Sequence, residues 1–73
     1  MLSREIAEEL FNLAHEYCAR LNESLAKVQE TCSDEDFEWY RTAVARVMAS
    51  SQDHIMDPLI KQHPELEPEA WKD

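Results

Sequence analysis

The stretch of sequence that decides the fold reads Cys32-Ser33-Asp34-Glu35-Asp36-Phe37. Ser33 is a residue type that caps helix N-termini, and the Asp36 carboxylate can reach back to the N–H of the cap, as in an Asp variant of the capping box. Cys32 and Phe37 occupy the two positions of a hydrophobic staple, and the acidic residues after the cap complement the positive end of a helix dipole. The stretch therefore predicts the end of one helix and the start of the next.

Before this break, the sequence predicts a first helix from Ser3, its N-cap, to Thr31. Its main apolar stripe comprises Ile6, Leu10, Leu13, Tyr17, Leu21, Leu25 and Val28. A second apolar set extends this stripe to one side and comprises Ala7, Phe11, Ala14, Cys18 and Cys32. Together the two sets cover roughly 160° of the helix circumference, which is wider than one neighbouring helix can cover.

After the break, the sequence predicts a second helix from Asp34 to Asp57. Its heptad-like seam comprises Phe37, Tyr40, Val44, Val47, Ser51 and His54. Asp57 precedes Pro58, which indicates a helix end or a kink, and Asp57 would be the N-cap of a short third helix that starts at Pro58. The predicted organisation is a helical hairpin domain over residues 1–63 and an acidic C-terminal tail over residues 64–73.

The predicted fold is all-α: an antiparallel helical hairpin with a short C-terminal helix and tail. A chain of 73 residues buries only a small core, and the wide apolar arc of the first helix would stay exposed in a monomer. Two hairpins packed face to face would bury it, so we expect a homodimer that forms a four-helix bundle. Half of a heteromeric bundle is the alternative.

The formal net charge is −9, from 16 acidic and 7 basic residues. Such a field repels phosphate backbones, which argues against nucleic acid as a partner, and no apolar run is long enough to span a membrane. The N-terminus lacks an apolar signal core, so we predict a cytoplasmic protein. Cys18 and Cys32 lie about 21 Å apart on one helix, so we expect reduced thiols, with a Cys32 bridge between two copies as the alternative.

A line of glutamates recurs every seven residues along the first helix, at Glu9, Glu16, Glu23 and Glu30. We call this set the glutamate line. Arg20 and Lys27 stand four residues after two of its members, in the orientation favoured for ion pairs. The line is typical of a solvated helix face, and its alternative interpretation is a docking surface for a basic protein.

Two tryptophans lie outside the predicted seams. Trp39 points roughly 120° away from the centre of the second helix's seam. It either covers the hairpin turn, contacts the C-terminal tail within its own dimer, or anchors a protein interface, where Trp is over-represented. Trp71 is expected to fold the tail back onto the bundle, with an acidic linear motif as the alternative.

No residue pattern indicates catalysis, a cofactor or a metal, since the chain has no Gly for a phosphate loop and no Glu-x-x-His pairs facing inward. We therefore predict a protein that is not an enzyme and that acts through protein contacts, as an adaptor, a regulator or an inhibitor of a basic partner. The alternative is a metal- or small-ligand-binding bundle, or an enzyme subunit, whose candidate site residues are Ser51, Asp53, His54 and Asp57.

Overall fold

A computed structural model describes residues 1–72, which form an antiparallel helical hairpin followed by a helical C-terminal segment. The hairpin consists of α1 (Arg4–Thr31) and α2 (Asp34–Ser51). The C-terminal segment, residues 52–72, comprises a π-helical turn (Gln52–Met56), α3 (Asp57–Gln62) and two 3₁₀ turns (Pro64–Leu66 and Glu69–Trp71). No strand occurs in residues 1–72, so the predicted all-α hairpin is confirmed. Asp73, the last residue of the predicted tail, lies outside the described residues.

The caps form where the sequence predicts them. The Ser3 hydroxyl oxygen accepts a hydrogen bond from the Ile6 N–H at 3.3 Å, and that of Ser33 accepts from the Asp36 N–H at 3.1 Å. The Asp36 side chain makes no hydrogen bond back to the cap among the described residues, so only half of the capping box is present. Near the turn, the side-chain oxygens of Ser24 and Tyr40 lie 2.6 Å apart and join the two helices.

The predicted helix end at Asp57 is absent, because the backbone stays helical from α2 through the π turn into α3. The predicted short third helix is present as α3, but Asp57 is its first residue and not its N-cap. Asp57 has φ −61° and ψ −45°, and its N–H bonds to the Gln52 carbonyl, five residues back. Pro58 has no N–H to donate and its ring would collide with the carbonyl four residues earlier, so the helix widens just before it. The extra residue in this turn rotates everything after it by roughly 100° relative to α2.

This rotation decides which residues reach the core. In a regular helix Ile55 would continue the face of Val44, eleven residues earlier. Instead Met56 and Leu59 are buried, each at most 4% exposed, while Ile55 is 45% exposed. Met56 and Leu59 pack against four residues of the second apolar set of α1, and together they form the core cluster of Ala7, Phe11, Ala14, Cys18, Met56 and Leu59. Met48, Ile60 and Leu66 are partly buried against this cluster.

Polar contacts fasten the C-terminal segment to the start of α1. The Leu2 N–H donates to Gln62 Oε1 at 3.2 Å, and its carbonyl lies 2.9 Å from His63 Nε2. The Arg4 guanidinium pairs with Glu8 and, at 3.1 Å, with Glu65. The side-chain hydrogen bond to Glu8 raises the pKa of Arg4, which therefore keeps its charge.

Candidate functional site

The hairpin has two sides, and its own C-terminal segment covers only one of them. On α1, Phe11 and Cys18 lie on the covered side, whereas Leu13 and Tyr17 lie roughly 130° away on the helix circumference. Leu21 and Val28, which are half-buried beside α2, mark the direction of the partner helix between these two sides. The predicted main stripe therefore divides: its C-terminal part faces α2, and its N-terminal part is left uncovered.

The uncovered side forms a groove of about 820 Å³ between α1 and α2. We call its five large apolar residues, which are Leu10, Leu13, Tyr17, Val47 and Ile55, the open apolar face. Leu13 is 64% exposed and Tyr17 56%, and the other three are 37 to 45% exposed. Ala14, Arg46, Ser50, Ser51 and His54 complete the groove. Single exposed apolar residues are normal on a protein surface, but five that line one groove make this groove the candidate interaction site of the chain.

The accessible surface of the chain is large for its mass. Its solvent-accessible surface is 5650 Å², about a fifth larger than the roughly 4,700 Å² expected of a compact monomer of 8.6 kDa. Its extents of 44 × 21 × 21 Å and its radius of gyration of 14.7 Å describe an elongated body, where roughly 11 Å would be compact. The excess area is similar to the roughly 800 Å² that one partner buries in a standard protein interface.

The charge of the groove differs from that of the whole chain. Although 16 of the 73 residues are acidic, no carboxylate lines the groove, whereas Arg46 and His54 do. Neither of these two side chains forms an ion pair within residues 1–72. The groove is therefore an apolar surface with a locally positive edge on an otherwise acidic protein.

The glutamate line is exposed along its whole length. The expected pairs of Glu16 with Arg20 and of Glu23 with Lys27 are absent from the ion pairs of the described residues, which form elsewhere. The four carboxylates of the line therefore have no basic partner within residues 1–72. This arrangement leaves their full negative charge to solvent or to another molecule.

The two tryptophans have different surroundings. The tail folds back onto α1 as predicted, because the ring of Trp71 packs there against Phe11 and His15. Its ring centroid lies 5.8 Å from that of Phe11 and 5.7 Å from that of His15. Trp71 also lines a second hollow of about 480 Å³, together with Cys18 and Met48. Trp39 is 73% exposed near the hairpin turn.

The alternative ligand residues do not converge. Ser51 and His54 line the groove, whereas Asp53 does not and is exposed. The Asp57 carboxylate instead accepts a hydrogen bond from the Gln52 side-chain amide. In the part of the chain that the structure describes, no three His, Cys, Asp or Glu side chains are grouped so as to hold a metal ion.

Reasoning from the sequence missed Arg46 and the separation of the open apolar face from the core. The width of the apolar arc on α1, which one neighbouring helix cannot cover, was one signal that part of the arc lies outside the core. A signal for Arg46 was its spacing: it follows Trp39 by seven residues and precedes Ser50 by four, which places the three residues on one side of α2.

None of the helices in residues 1–72 combines the length and the apolar character needed to cross a membrane. Comparison of the chain with models of known protein families, with curated proteins and with solved structures gives no match. A proposal for function therefore rests on the geometry and charge of the open apolar face and of the glutamate line.

Proposed function

We propose that this protein acts through protein contacts, as a small acidic adaptor or regulator, and that a second copy of the chain covers its open apolar face. Two hairpins would then form a homodimeric four-helix bundle, with the glutamate lines on its outer surface. This proposal gives the protein no catalytic role. The observation that carries it is the exposure of Leu13 and Tyr17 in a groove that no carboxylate lines.

The free energy gained by burying the open apolar face supports self-association. Full burial of a Leu side chain contributes roughly 1.5 to 3 kcal/mol, and aromatic side chains such as that of Tyr17 bury the largest areas. In a symmetric dimer each copy would bury the five residues of its own open apolar face, so the contribution of each residue counts twice. The excess of the accessible surface of one copy over that of a compact monomer is also about the area that one partner buries in a standard interface.

Sedimentation equilibrium of the purified chain, from about 1 to 100 µM, tests the proposal. We expect a single species with twice the chain mass of 8.6 kDa at the upper concentrations, dissociating on dilution. Circular dichroism at both ends of the range reports whether the monomer keeps its helices. A helical protein that remains monomeric throughout would overturn the homodimer.

The glutamate line supports the second part of the proposal, a basic protein partner. Its four carboxylates are exposed, equally spaced and unpaired among the described residues. Opposite charges on two surfaces accelerate association and select the partner. A hairpin that serves as an inhibitor of a basic protein would use this side.

This part is tested by affinity capture from the native host, with the wild-type chain and a quadruple Glu→Gln variant of the glutamate line as matched baits. We expect a basic protein that the wild type retains and the variant loses, with an affinity that falls as salt rises. A captured protein that binds both baits equally, or the absence of any basic protein, would contradict the basic-partner proposal. The homodimer is measured separately and does not depend on this result.

The alternative function, binding of a small ligand, has one supporting observation: Ser51 and His54 offer polar groups at the edge of the apolar groove. Native mass spectrometry of the purified protein distinguishes the two functions. A stoichiometric small molecule or metal would favour the alternative, and an unliganded dimer the proposal above.

A further inference from the structure

The exposed Trp39 lies on the same side of α2 as the groove. Arg46 follows it by seven residues and Ser50 by a further four, and both of these line the groove. Residues at these spacings share one stripe of a helix. Trp39 therefore continues the open side of the hairpin toward the turn, roughly 10 Å from Arg46 along the axis of α2.

Ala43 lies at the centre of this stripe and has a small side chain that permits close approach of another helix. Trp39 is four residues before it and Val47, a groove residue, four residues after it. A two-fold axis that passes through Ala43 perpendicular to α2 would place each Trp39 opposite Val47 of the partner copy. The largest exposed ring of one chain would thus meet the apolar groove of the other, twice per dimer.

The charges of α2 favour this antiparallel arrangement. Asp36 is seven residues before Ala43 and Ser50 seven residues after it, so the same axis would place Asp36 opposite Ser50 of the partner copy. Arg46 and His54 stand four residues before and after that Ser50, about one helical turn each way. A parallel arrangement would instead bring together the acidic starts of the two α2 helices, at Asp34 to Asp36, and repel them.

We propose that the homodimer is antiparallel across the open apolar faces and that Trp39 of each copy fills the groove of the other. Asp36 of each copy, opposite Ser50 of the other, then pairs with the Arg46 side chain that lies one helical turn from that Ser50. This inference rests on the proposed homodimer and adds its geometry. It gives Arg46 a carboxylate, which it lacks within its own chain. It also gives Trp39 an apolar environment in place of solvent.

Trp39 fluorescence tests the arrangement directly. In the Trp71→Phe variant Trp39 is the single tryptophan, and circular dichroism checks that this variant keeps the fold. We expect its emission to shift to shorter wavelength and its quenching by acrylamide to fall as the concentration passes through the dimerisation range found by sedimentation. Trp39→Ala should weaken dimerisation about a hundredfold or more, because a buried Trp is a typical interface hot spot.

A charge exchange tests the orientation. Arg46→Glu and Asp36→Arg should each weaken the dimer about tenfold to a hundredfold, and the double variant, which restores opposite charges across the axis, should recover most of the loss. Circular dichroism on each variant separates a loss of folding from a loss of association.

The outcomes distinguish this inference from the proposal on which it rests. A dimer in which the Trp39 emission is unchanged on association, or in which the double variant is no tighter than the single ones, would overturn the antiparallel arrangement and leave the homodimer intact. A chain that never dimerises would overturn both.

Discussion

Leu13→Asp is the substitution that most directly separates the open apolar face from the core. Leu13 is 64% exposed in one copy, so a polar side chain there remains in contact with water and the monomer should stay folded. In the dimer the same side chain would lie within the contact, because it lines the groove that the partner copy covers. The variant should therefore lose association without losing helicity.

The size of the effect follows from the exposed fraction. Full burial of Leu contributes roughly 1.5 to 3 kcal/mol, and the 64% that remains exposed in one copy corresponds to about 1 to 2 kcal/mol. Two-fold symmetry doubles this to roughly 2 to 4 kcal/mol, and an Asp in an apolar groove adds a desolvation cost. At about 1.4 kcal/mol per factor of ten, the dissociation constant should rise about a thousandfold.

Asn12→Asp is the matched control. It adds the same negative charge one residue away on α1, on the exposed polar side of the helix. Sedimentation equilibrium should give it a dissociation constant within about threefold of the wild type, because an exposed charge remote from the contact contributes little. If Leu13→Asp dimerises as tightly as Asn12→Asp, the open apolar face is not the dimer contact. If Leu13→Asp loses its helical signal, Leu13 is part of the monomer's core.

Three further predictions concern the folded monomer. Val44, only 3% exposed, should not tolerate Asp: a buried carboxylate costs several kcal/mol, so Val44→Asp should lose its far-UV helical signal, and a folded variant would contradict the core assignment. The exposed Cys32 should react with a thiol reagent at once, whereas the buried Cys18 should react only as fast as the chain opens; equal rates would contradict its burial. Trp71→Ala should lower the free energy of unfolding by about 1 to 2 kcal/mol in urea titrations, since its ring is only partly buried on Phe11, and an unchanged midpoint would show that this packing contributes no stability.

The hairpin could be predicted because its signals are local. A Ser cap followed by acidic residues stabilises a helix start wherever the rest of the chain goes, and both predicted caps, Ser3 and Ser33, make their hydrogen bonds. The end of α2 could not be predicted in the same way. A Pro after a long helix either ends the helix or is accommodated by a wider turn. Which of the two forms depends on the tertiary structure, because the wider turn is stabilised by the packing of Met56 and Leu59 on α1.

Tertiary packing also decides which part of the apolar arc on α1 is covered and which part is exposed. Periodicity gives the width of an apolar arc, but not which part of it the chain covers with its own later segment. The π turn sends Met56 and Leu59 to the side of Phe11, and this leaves Leu13 and Tyr17 uncovered. The sequence places Leu13 in the main stripe of α1 and Val44 in the seam of α2, and periodicity alone does not tell that within one copy Leu13 is exposed and Val44 is buried.

The distribution of charge gives the open apolar face a selectivity that its apolar residues alone would not provide. Two copies with a formal charge of −9 repel each other over most of their surfaces, which opposes contacts in arbitrary orientations. The groove lacks carboxylates and has Arg46 at its edge, so an approach through this side avoids most of the repulsion. Added salt screens the repulsion between charges that lie farther apart than the Debye length, about 10 Å at 0.1 M, but leaves the apolar contact intact. Dimerisation through this face should therefore tighten as salt rises, the opposite of the response expected where the glutamate line binds a basic protein.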